Sequence, residues 1–330
     1  MTADFRPLGV AVGHATDSDG ATGVTVLRGI DAPLRAGAAV FGRATGEREL
    51  HTLHPGHLVE RVDALMLTGG SAYGLDAAAG VMRWMEERGR GFAVPGGVVP
   101  IVPAAVIFDL APLGHFTARP TPQMAYAACD SAAPNDIAEG SVGVGTGATV
   151  GKIAGPTRAM KGGFGCAVES TGEWHVGAVA VVNALGDVRD ASGEIIAGAR
   201  ADVERGSRRV FLDTARRLAT GGAGNPALGA RATVPTNTTL CAVVTDAPLG
   251  RVALAQLASA AGAALFRRIT PTGTSVDGDI VFALGPAVPP ASLGSALMSI
   301  EASATAVLEQ AIERAVRTAR GRDGVPGLAD

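Results

Sequence analysis

The chain has 330 residues, of which 47% are hydrophobic, 18% charged and 4% aromatic, and its formal net charge is -3. This is the composition of a globular protein, without the charge excess of a disordered chain or the basic surface of a nucleic-acid-binding protein. Because 46 residues are glycine and few are aromatic, we expect a core of small aliphatic side chains in closely packed sheets and helices.

The first two hundred residues predict strands and helices in alternation. We expect strands at residues 10–13, 23–28 and 64–67, and the third leads through residues 68–71 into a helix at about 75–88. The apolar stretch 92–113 contains four prolines, which a membrane helix would not normally carry, so buried strands and turns are expected there. Residues 142–150 predict a glycine-rich strand or loop, and residues 175–183 a strand.

The remainder of the chain is divided by a segment rich in glycine and proline. Residues 200–220 predict a helix, and residues 221–235 form the best linker in the sequence. After it we expect a strand at 238–244, a helix at 251–267, a strand at 276–284, a helix at 298–320 and a frayed tail at 321–330. A flexible linker that runs into a buried strand suits self-cleavage, although most such linkers are ordinary connections.

Cysteine and histidine spacing gives no sign of a metal site. The three cysteines are odd in number and lack a CxxC pair, which argues against disulfides and structural zinc. His51, His54 and His57 recur every third residue, but Pro55 interrupts any helix and no acidic partner has metal-site spacing, so we expect surface histidines. The first residues lack the apolar segment of a signal peptide. We therefore predict a cytoplasmic protein with no cofactor, no metal, no membrane contact and no nucleic-acid partner.

Five segments together resemble the DmpA-like aminopeptidase and nylon-oligomer (6-aminohexanoate-oligomer) endohydrolase family of N-terminal nucleophile hydrolases. They are VGHATD at 12–17, LTGGSAYGLDAA at 67–78, VPIVPAA at 99–105, GSVGVGTGATVGK at 140–152 and MKGG at 160–163. The resemblance implies an α+β fold, namely one αββα sandwich domain of four layers over residues 1–330. It also implies cleavage into chains 1–237 and 238–330, a homo-oligomer of these αβ units, and hydrolysis of small peptides or amide oligomers.

The resemblance also implies a set of site residues. The Asn237–Thr238 bond is similar to the Asn–Thr cleavage site of the nylon-oligomer hydrolases, whereas the aminopeptidase branch uses Gly–Ser. Asp277 and Asp279 match two aspartates of the nylon-hydrolase branch, where the other branch has Ser and Glu. The remaining family positions match Lys161, Asn183 and Tyr126, although Ala125 stands where the family pattern has glycine.

These residue types are chemically suited to such a site. Cleavage would give Thr238 a free α-amine with a pKa of about 7.7–8.0, close enough to its own hydroxyl to act as the base. Asp277 and Asp279 would project to the same face of a strand, orient the amine and hydroxyl, and raise each other's pKa. Lys161 would polarise the hydroxyl region, and the Asn183 amide would donate to the tetrahedral oxyanion.

Other interpretations of these residues remain open from the sequence. Residues 237–239 also match an N-glycosylation acceptor, and residues 277–279 could be a structural turn or a fragment of a calcium loop. Lys161 could be a solvated loop lysine, and Asn183 could simply end a strand. Two other functions are an N-acyltransferase of the ornithine acetyltransferase type, which is similar in fold and also cleaves before a Thr, and a non-catalytic binding protein.

Overall fold

The structure is a computed structural model that describes residues 3–201, 210–221 and 236–330. In chain order its strands are β1 (Val10–Asp17), β2 (Thr22–Gly29), β3 (Leu34–Val40), β4 (Glu47–Arg48), β5 (Ala64–Thr68), β6 (Phe92–Val94), β7 (Gly97–Val99), β8 (Ala104–Val106), β9 (Thr149–Val150), β10 (Met160–Lys161), β11 (Gly163–Thr171), β12 (Trp174–Asn183), β13 (Asp187–Arg189), β14 (Ile195–Ala197), β15 (Thr238–Thr245), β16 (Ile269–Thr270) and β17 (Ile280–Pro286). The α-helices are α1 (Ala78–Glu86), α2 (Pro122–Asp130), α3 (Thr214–Ala219), α4 (Arg251–Ala261), α5 (Ala263–Arg268) and α6 (Ala296–Arg317). Short 3-10 helices lie at Leu50–Leu53, Ser71–Ala77, Gly143–Thr146, Lys152–Ala154 and Pro156–Arg158.

Two five-stranded sheets form the centre of the fold. The first has the strand order β1-β2-β5-β8-β4, and the second has the order β11-β12-β15-β17-β3. In the second sheet β15 lies between β12, its antiparallel neighbour, and β17, its parallel neighbour. The middle of this sheet therefore combines strands from before and after the glycine- and proline-rich segment.

The two sheets pack face to face and carry helices on their outer faces. Val179 and Val181 of β12 lie in the core between the sheets, whereas Ala178 and Ala180 of the same strand face the layer that contains α4 and α6. This alternation is the period of two expected for a strand buried on both faces. Helices α1 and α2 cover the first sheet through a separate apolar cluster. The predicted αββα sandwich is confirmed.

Small residues allow the outer helices to lie close to the sheets. A Cβ atom at Gly165 of β11 would collide with the Ala311 carbonyl of α6. A Cβ atom at Gly262, between α4 and α5, would likewise overlap the ring of Phe41. The helix predicted at 251–267 is therefore broken into two at the point where an aromatic ring lies against its backbone.

Several elements differ from the sequence prediction. The helix expected at 75–88 begins as a 3-10 helix and becomes α1 only at Ala78. Of the helix expected at 200–220, only α3 is found, because Arg200 and Phe211 form a β-bridge and residues 202–209 lie outside the described part. The predicted linker 221–235 also lies outside it, apart from Gly221.

Two further predictions are corrected by packing. The stretch 92–113 is not wholly buried, because β6 and β7 form a surface hairpin in which Phe92 and Val99 are 38% and 44% exposed. The C-terminal tail is held rather than frayed, since Pro326 accepts a hydrogen bond from the Lys161 main chain and Asp330 accepts two from Gly321 and Gly327. None of the helices in the described ranges combines the length and apolar character needed to cross a membrane.

Candidate active site

Three chain segments meet at the bond between residues 237 and 238. Thr238 is the first residue of β15 and pairs with Asn183, the last residue of β12. Asn237 forms a parallel bridge with Asp277, just before β17. Both residues of the bond are buried. A strand that begins in the middle of a sheet thus places this peptide bond inside the protein, between the two elements that carry the predicted polar residues.

The carbonyl of Asn237 accepts two hydrogen bonds. The Thr238 hydroxyl lies 2.7 Å from this oxygen, and the main-chain N–H of Gly278 donates to it over 2.9 Å. The side-chain oxygen of Asn237 is buried and has no partner among the described residues. The hydroxyl and the peptide bond are therefore in contact.

Asp277 and Asp279 lie just before β17 rather than on the predicted strand. Asp279 is buried and accepts hydrogen bonds from the Thr239 main chain (2.6 Å), the Thr272 hydroxyl (2.7 Å) and the Gly273 main chain (2.9 Å). Burial, and secondarily the charge of Asp277, raises the pKa of Asp279 to about 6. Burial also raises the pKa of Asp277. The charge of Asp277 thus raises the pKa of Asp279, whereas the pKa of Asp277 is raised by burial.

The Asn183 side chain links several parts of the site. Its amide donates to the carbonyl oxygens of Phe108 (3.1 Å) and Thr236 (3.4 Å), and its oxygen accepts from the Thr149 main chain (3.1 Å). The same oxygen accepts from the Lys152 ammonium over 2.7 Å. Both ends of the amide are therefore engaged, and one contact reaches Thr236, two positions before Thr238.

Lys152 is a site residue that the sequence analysis did not select. Its ammonium also donates to the main-chain oxygens of Asn183 and Thr236, each over 3.0 Å. Loss of hydration lowers the pKa of Lys152 to about 7, while the buried aspartates, Asp277 foremost, act in the opposite direction. Its only signal in the sequence was its place at the end of the glycine-rich segment 140–152, where it resembles an ordinary loop lysine.

The structure places Lys161 beside the site rather than on the cleavage bond. Its buried ammonium donates to the main-chain oxygens of Gly145 (3.4 Å), Thr146 (2.7 Å) and Ala148 (2.8 Å). Burial lowers the pKa of Lys161 to about 7. Its backbone pairs with Thr149, whose N–H donates to Asn183. Lys161 therefore supports the loop that positions Asn183 instead of joining the group around Thr238.

Tyr126 is not brought to the Thr238 group. It lies on α2, in the outer helical layer of the first sheet, and its hydroxyl donates to Glu87 over 2.6 Å. The Arg83 guanidinium stacks on its ring at 4.7 Å. These contacts join α1 to α2, so within the described part of the chain Tyr126 has a packing role.

The glycine turn at residues 69–71 is occupied by a buried carboxylate. The Gly70 N–H donates to Asp109 over 2.6 Å, and the Thr22 hydroxyl donates to the other oxygen over 2.7 Å. Burial raises the pKa of Asp109 to about 6. The Gly70 donor holds Asp109, whose neighbour Phe108 accepts a hydrogen bond from the Asn183 amide.

A cavity of about 280 Å³ adjoins this site. Its wall includes Phe108, Ala111, Pro112 and Pro156, and Lys152 and Thr236 also line it. It therefore offers apolar surface next to the polar groups around the Asn237–Thr238 bond. Among residues 3–201, 210–221 and 236–330, no cluster of three or more His, Cys, Asp or Glu side chains could hold a metal ion.

One protein family and several curated proteins match this sequence over most of its length. The profile of the family described as Peptidase family S58 matches residues 8–329. An uncharacterized aminopeptidase of Mycobacterium tuberculosis (strain ATCC 25618 / H37Rv) is 42% identical over 343 residues, which cover 98% of this chain and 95% of that protein. A 6-aminohexanoate-oligomer endohydrolase of Kocuria sp. (strain KY2) is 32% identical over 299 residues, which cover 86% of this chain and 74% of that protein.

Solved structures share the fold at low sequence identity. The L-aminopeptidase D-Ala-esterase/amidase of Ochrobactrum anthropi, described as a variant of the Ntn hydrolase fold, has a TM-score of 0.71 at 19% identity, covering 98% of this chain and 90% of that chain. A β-aminopeptidase of Burkholderia sp. has a TM-score of 0.67 at 22% identity, covering 99% and 92%. The two-sheet architecture described above is therefore the Ntn hydrolase fold.

Proposed function

The chain belongs to peptidase family S58 and is a hydrolase of peptide or amide bonds, and we propose that it cuts itself between Asn237 and Thr238 to release its own nucleophile. The products are an α chain of residues 1–237 and a β chain of residues 238–330. Thr238, now at the start of the β chain, attacks the carbonyl of the substrate amide. The resulting acyl-enzyme is then hydrolysed by water.

The contact between the Thr238 hydroxyl and the Asn237 carbonyl carries this proposal. The two oxygens are 2.7 Å apart, inside the protein, and the carbonyl is also hydrogen-bonded to the Gly278 N–H. A threonine hydroxyl is a weak nucleophile at its free pKa, so it needs a bond held close to it and a base. The fold holds the Asn237–Thr238 bond close to the hydroxyl before any substrate is present.

Cleavage supplies the base. The freed Thr238 amine has a pKa of about 7.7–8.0 and is carried by the same residue as the hydroxyl. Asp277 and Asp279 lie at this point of the sheet, and the pKa of about 6 still leaves Asp279 largely ionised at neutral pH. Their negative charge keeps the amine and hydroxyl oriented, and the amine can accept the hydroxyl proton when a substrate is attacked.

Lys152 and Asn183 act in both stages. In the uncut chain their donors hold the Thr236 carbonyl, which fixes the peptide that leads into the cleavage bond. Departure of residues 236 and 237 would expose these donors to the adjoining cavity. They would then be available to the carbonyl oxygen of a substrate, where a fixed donor contributes roughly 10²–10³ in rate.

We propose small peptides or amide oligomers as substrates. The Asn237–Thr238 bond and the Asp277/Asp279 pair match the nylon-oligomer branch, and the Kocuria relative is a 6-aminohexanoate-oligomer endohydrolase. The mycobacterial relative carries the name aminopeptidase. The apolar wall of the cavity fits an alkyl chain between amide groups. As the family resemblance implies, the αβ units assemble into a homo-oligomer.

Intact-mass measurement of the purified protein tests self-cleavage. We expect two chains of residues 1–237 and 238–330, and a single inactive 330-residue chain for Thr238→Ala. Thr239→Val is a matched control because Thr239 is the next residue, is equally buried, and its hydroxyl has no partner among the described residues. This control should be cut normally. Persistence of one uncut chain in active wild-type protein would refute the proposal.

Product analysis separates the substrate classes. Hydrolysis of 6-aminohexanoate oligomers is compared with hydrolysis of amino-acyl p-nitroanilides under the same conditions. Adding ornithine tests the acyltransferase alternative, because a transferase would form acylated ornithine at the expense of the free acid. We expect the free acid to remain the main product.

A further inference from the structure

The main-chain amide of Gly278 lies at the carbonyl of the cleavage bond. Its N–H donates to the Asn237 oxygen over 2.9 Å, and the Thr238 hydroxyl donates to the same oxygen over 2.7 Å. Attack of the hydroxyl on this carbonyl places negative charge on that oxygen. We infer that the Gly278 N–H is the oxyanion donor of the self-cleavage step.

The inference rests on the self-cleavage proposed above. In that step the Thr238 oxygen forms a bond to the Asn237 carbonyl carbon, and the C=O electron pair moves onto the oxygen. The bond to the Thr238 nitrogen breaks as the oxyanion collapses, and the hydroxyl proton ends on the leaving nitrogen. Water then opens the ester, which restores the Thr238 hydroxyl and leaves a carboxylate on Asn237.

The backbone around Gly278 is fixed on both sides. The Asp277 carbonyl accepts the Ala44 N–H over 2.9 Å, and the Asp279 carbonyl accepts the Phe41 N–H over 2.8 Å. These two bonds hold the extended backbone against the segment that follows β3. The Gly278 N–H belongs to the same peptide unit as the Asp277 carbonyl and points to the opposite side of the backbone. It is thereby directed at the Asn237 carbonyl before the reaction begins. A donor placed in advance requires no reorganisation when charge develops.

The same geometry explains why the residue between the two aspartates is glycine. A Cβ atom at position 278 would lie 2.8 Å from the Thr238 hydroxyl oxygen and 2.6 Å from the Ala44 carbonyl oxygen. Both distances are shorter than carbon–oxygen contacts in proteins allow. Any side chain would displace either the nucleophile or the strand, so the amide can approach the cleavage bond this closely only when the residue lacks a Cβ.

Replacing one main-chain amide by an ester tests the inference directly. Glycolic acid introduced at position 278 by cell-free translation removes the N–H and adds no bulk. We expect conversion of the 330-residue chain into its two fragments to slow by roughly 10²–10³-fold on a denaturing gel time course. The control is the same replacement at Gly262, whose N–H donates to Ala258 over 3.1 Å in the outer helical layer. The control should be cut at the wild-type rate.

The outcomes distinguish this inference from the proposal beneath it. Cutting of the position-278 ester at the rate of the control would overturn the role of Gly278 and leave self-cleavage standing, whereas an unmodified chain that is never cut would refute self-cleavage itself. A second measurement avoids the ester. In uncut Thr238→Ala protein the Gly278 amide should be strongly protected from hydrogen exchange, and exchange as fast as in an unfolded peptide would show that the N–H does not hold the carbonyl.

Discussion

Lys152 is bonded to Asn183 twice, through the side-chain oxygen at 2.7 Å and through the main-chain oxygen at 3.0 Å. A third bond from the same ammonium reaches the main-chain oxygen of Thr236, two residues before Thr238. One cation therefore ties the end of β12 to the peptide that enters β15.

Lys152→Met should slow both self-cleavage and hydrolysis. Charge-assisted hydrogen bonds are worth about 1.5–3 kcal/mol each, so loss of the ammonium should lower either rate by about 10- to 100-fold. The matched variant is Lys161→Met, since Lys161 is also buried with a pKa lowered to about 7 but bonds to loop carbonyls. It should be cut and active within a few-fold of wild type. The opposite ranking, from gel time courses and kcat/KM, would return Lys161 to the catalytic group.

The buried Lys161 should make stability depend on pH. Its pKa is about 7 in the folded protein, against an ordinary lysine value of 10.5. Between pH 7 and 10.5 the unfolded chain binds more protons, so the free energy of unfolding should rise with pH, by up to about 1.4 kcal/mol per unit. Urea unfolding of uncut Thr238→Ala protein from pH 7 to 9 measures this slope. Adding Lys161→Met should reduce the slope without abolishing it, because the buried Lys152 has a pKa lowered to the same value, and an unchanged slope would contradict the assignment.

Hydrolysis should fall as Asp279 takes up a proton. Its pKa is raised to about 6, so below that pH the carboxyl becomes neutral and its negative charge no longer orients the Thr238 amine and hydroxyl. Since kcat/KM already falls tenfold per unit below the amine pKa of about 7.7–8.0, we expect the fall to steepen toward a hundredfold per unit below pH 6, and Asp279→Asn to be inactive throughout.

Asp187→Asn is the control for this profile. Asp187 is an equally buried aspartate on β13, which belongs to another sheet. It accepts hydrogen bonds from Ala199 and Thr214. It should lower stability and leave the pH profile of activity unchanged. A shifted profile in this variant would mean that the acid limb does not belong to Asp279.

Thr239→Val should leave the protein as stable as wild type or more so. The Thr239 hydroxyl is buried with no partner in the described part of the chain, and valine has nearly the same shape. Removing an unsatisfied buried hydroxyl should gain roughly 1 kcal/mol. Thr245→Val in the same strand is the counterpart, because the Thr245 hydroxyl accepts a hydrogen bond from Ala247 over 3.2 Å. Thr245→Val should lower the stability by about that amount in melting experiments. Equal changes in the stability of the two variants would contradict this prediction.

The sequence pattern predicted the sheets better than it predicted their surroundings. Apolar runs such as residues 175–183 and 238–244 form strands buried on both faces, as their composition indicates. The run that contains Phe92 and Val99 is equally apolar but lies in a surface hairpin. Local composition predicts that a segment is extended, whereas its burial depends on which distant elements cover it.

The same limit applies to the site. Thr238, Asn183 and the two aspartates could be predicted because the residue types themselves suggest the chemistry and the family segments support them. Lys152 could not, because its partners lie 31 and 84 positions along the chain and only the pairing of β12 with β15 brings them together. Nor could sequence show that Lys161 serves a loop, since a lysine followed by two glycines looks the same whether its ammonium is solvated or buried.

The position of β15 and β17 has a consequence for the life of the molecule after cutting. Both central strands of the second sheet come from residues 238–330, and their outer neighbours β12 and β3 come from residues 1–237. After a cut at Asn237, β15 and β17 of the short chain would lie between β12 and β3, which belong to a separate chain. Unfolding would then release two pieces that must find each other again, and the connection that guided the first folding would be gone. The enzyme would be assembled once, and its working lifetime would be set by how slowly it opens rather than by how readily it refolds.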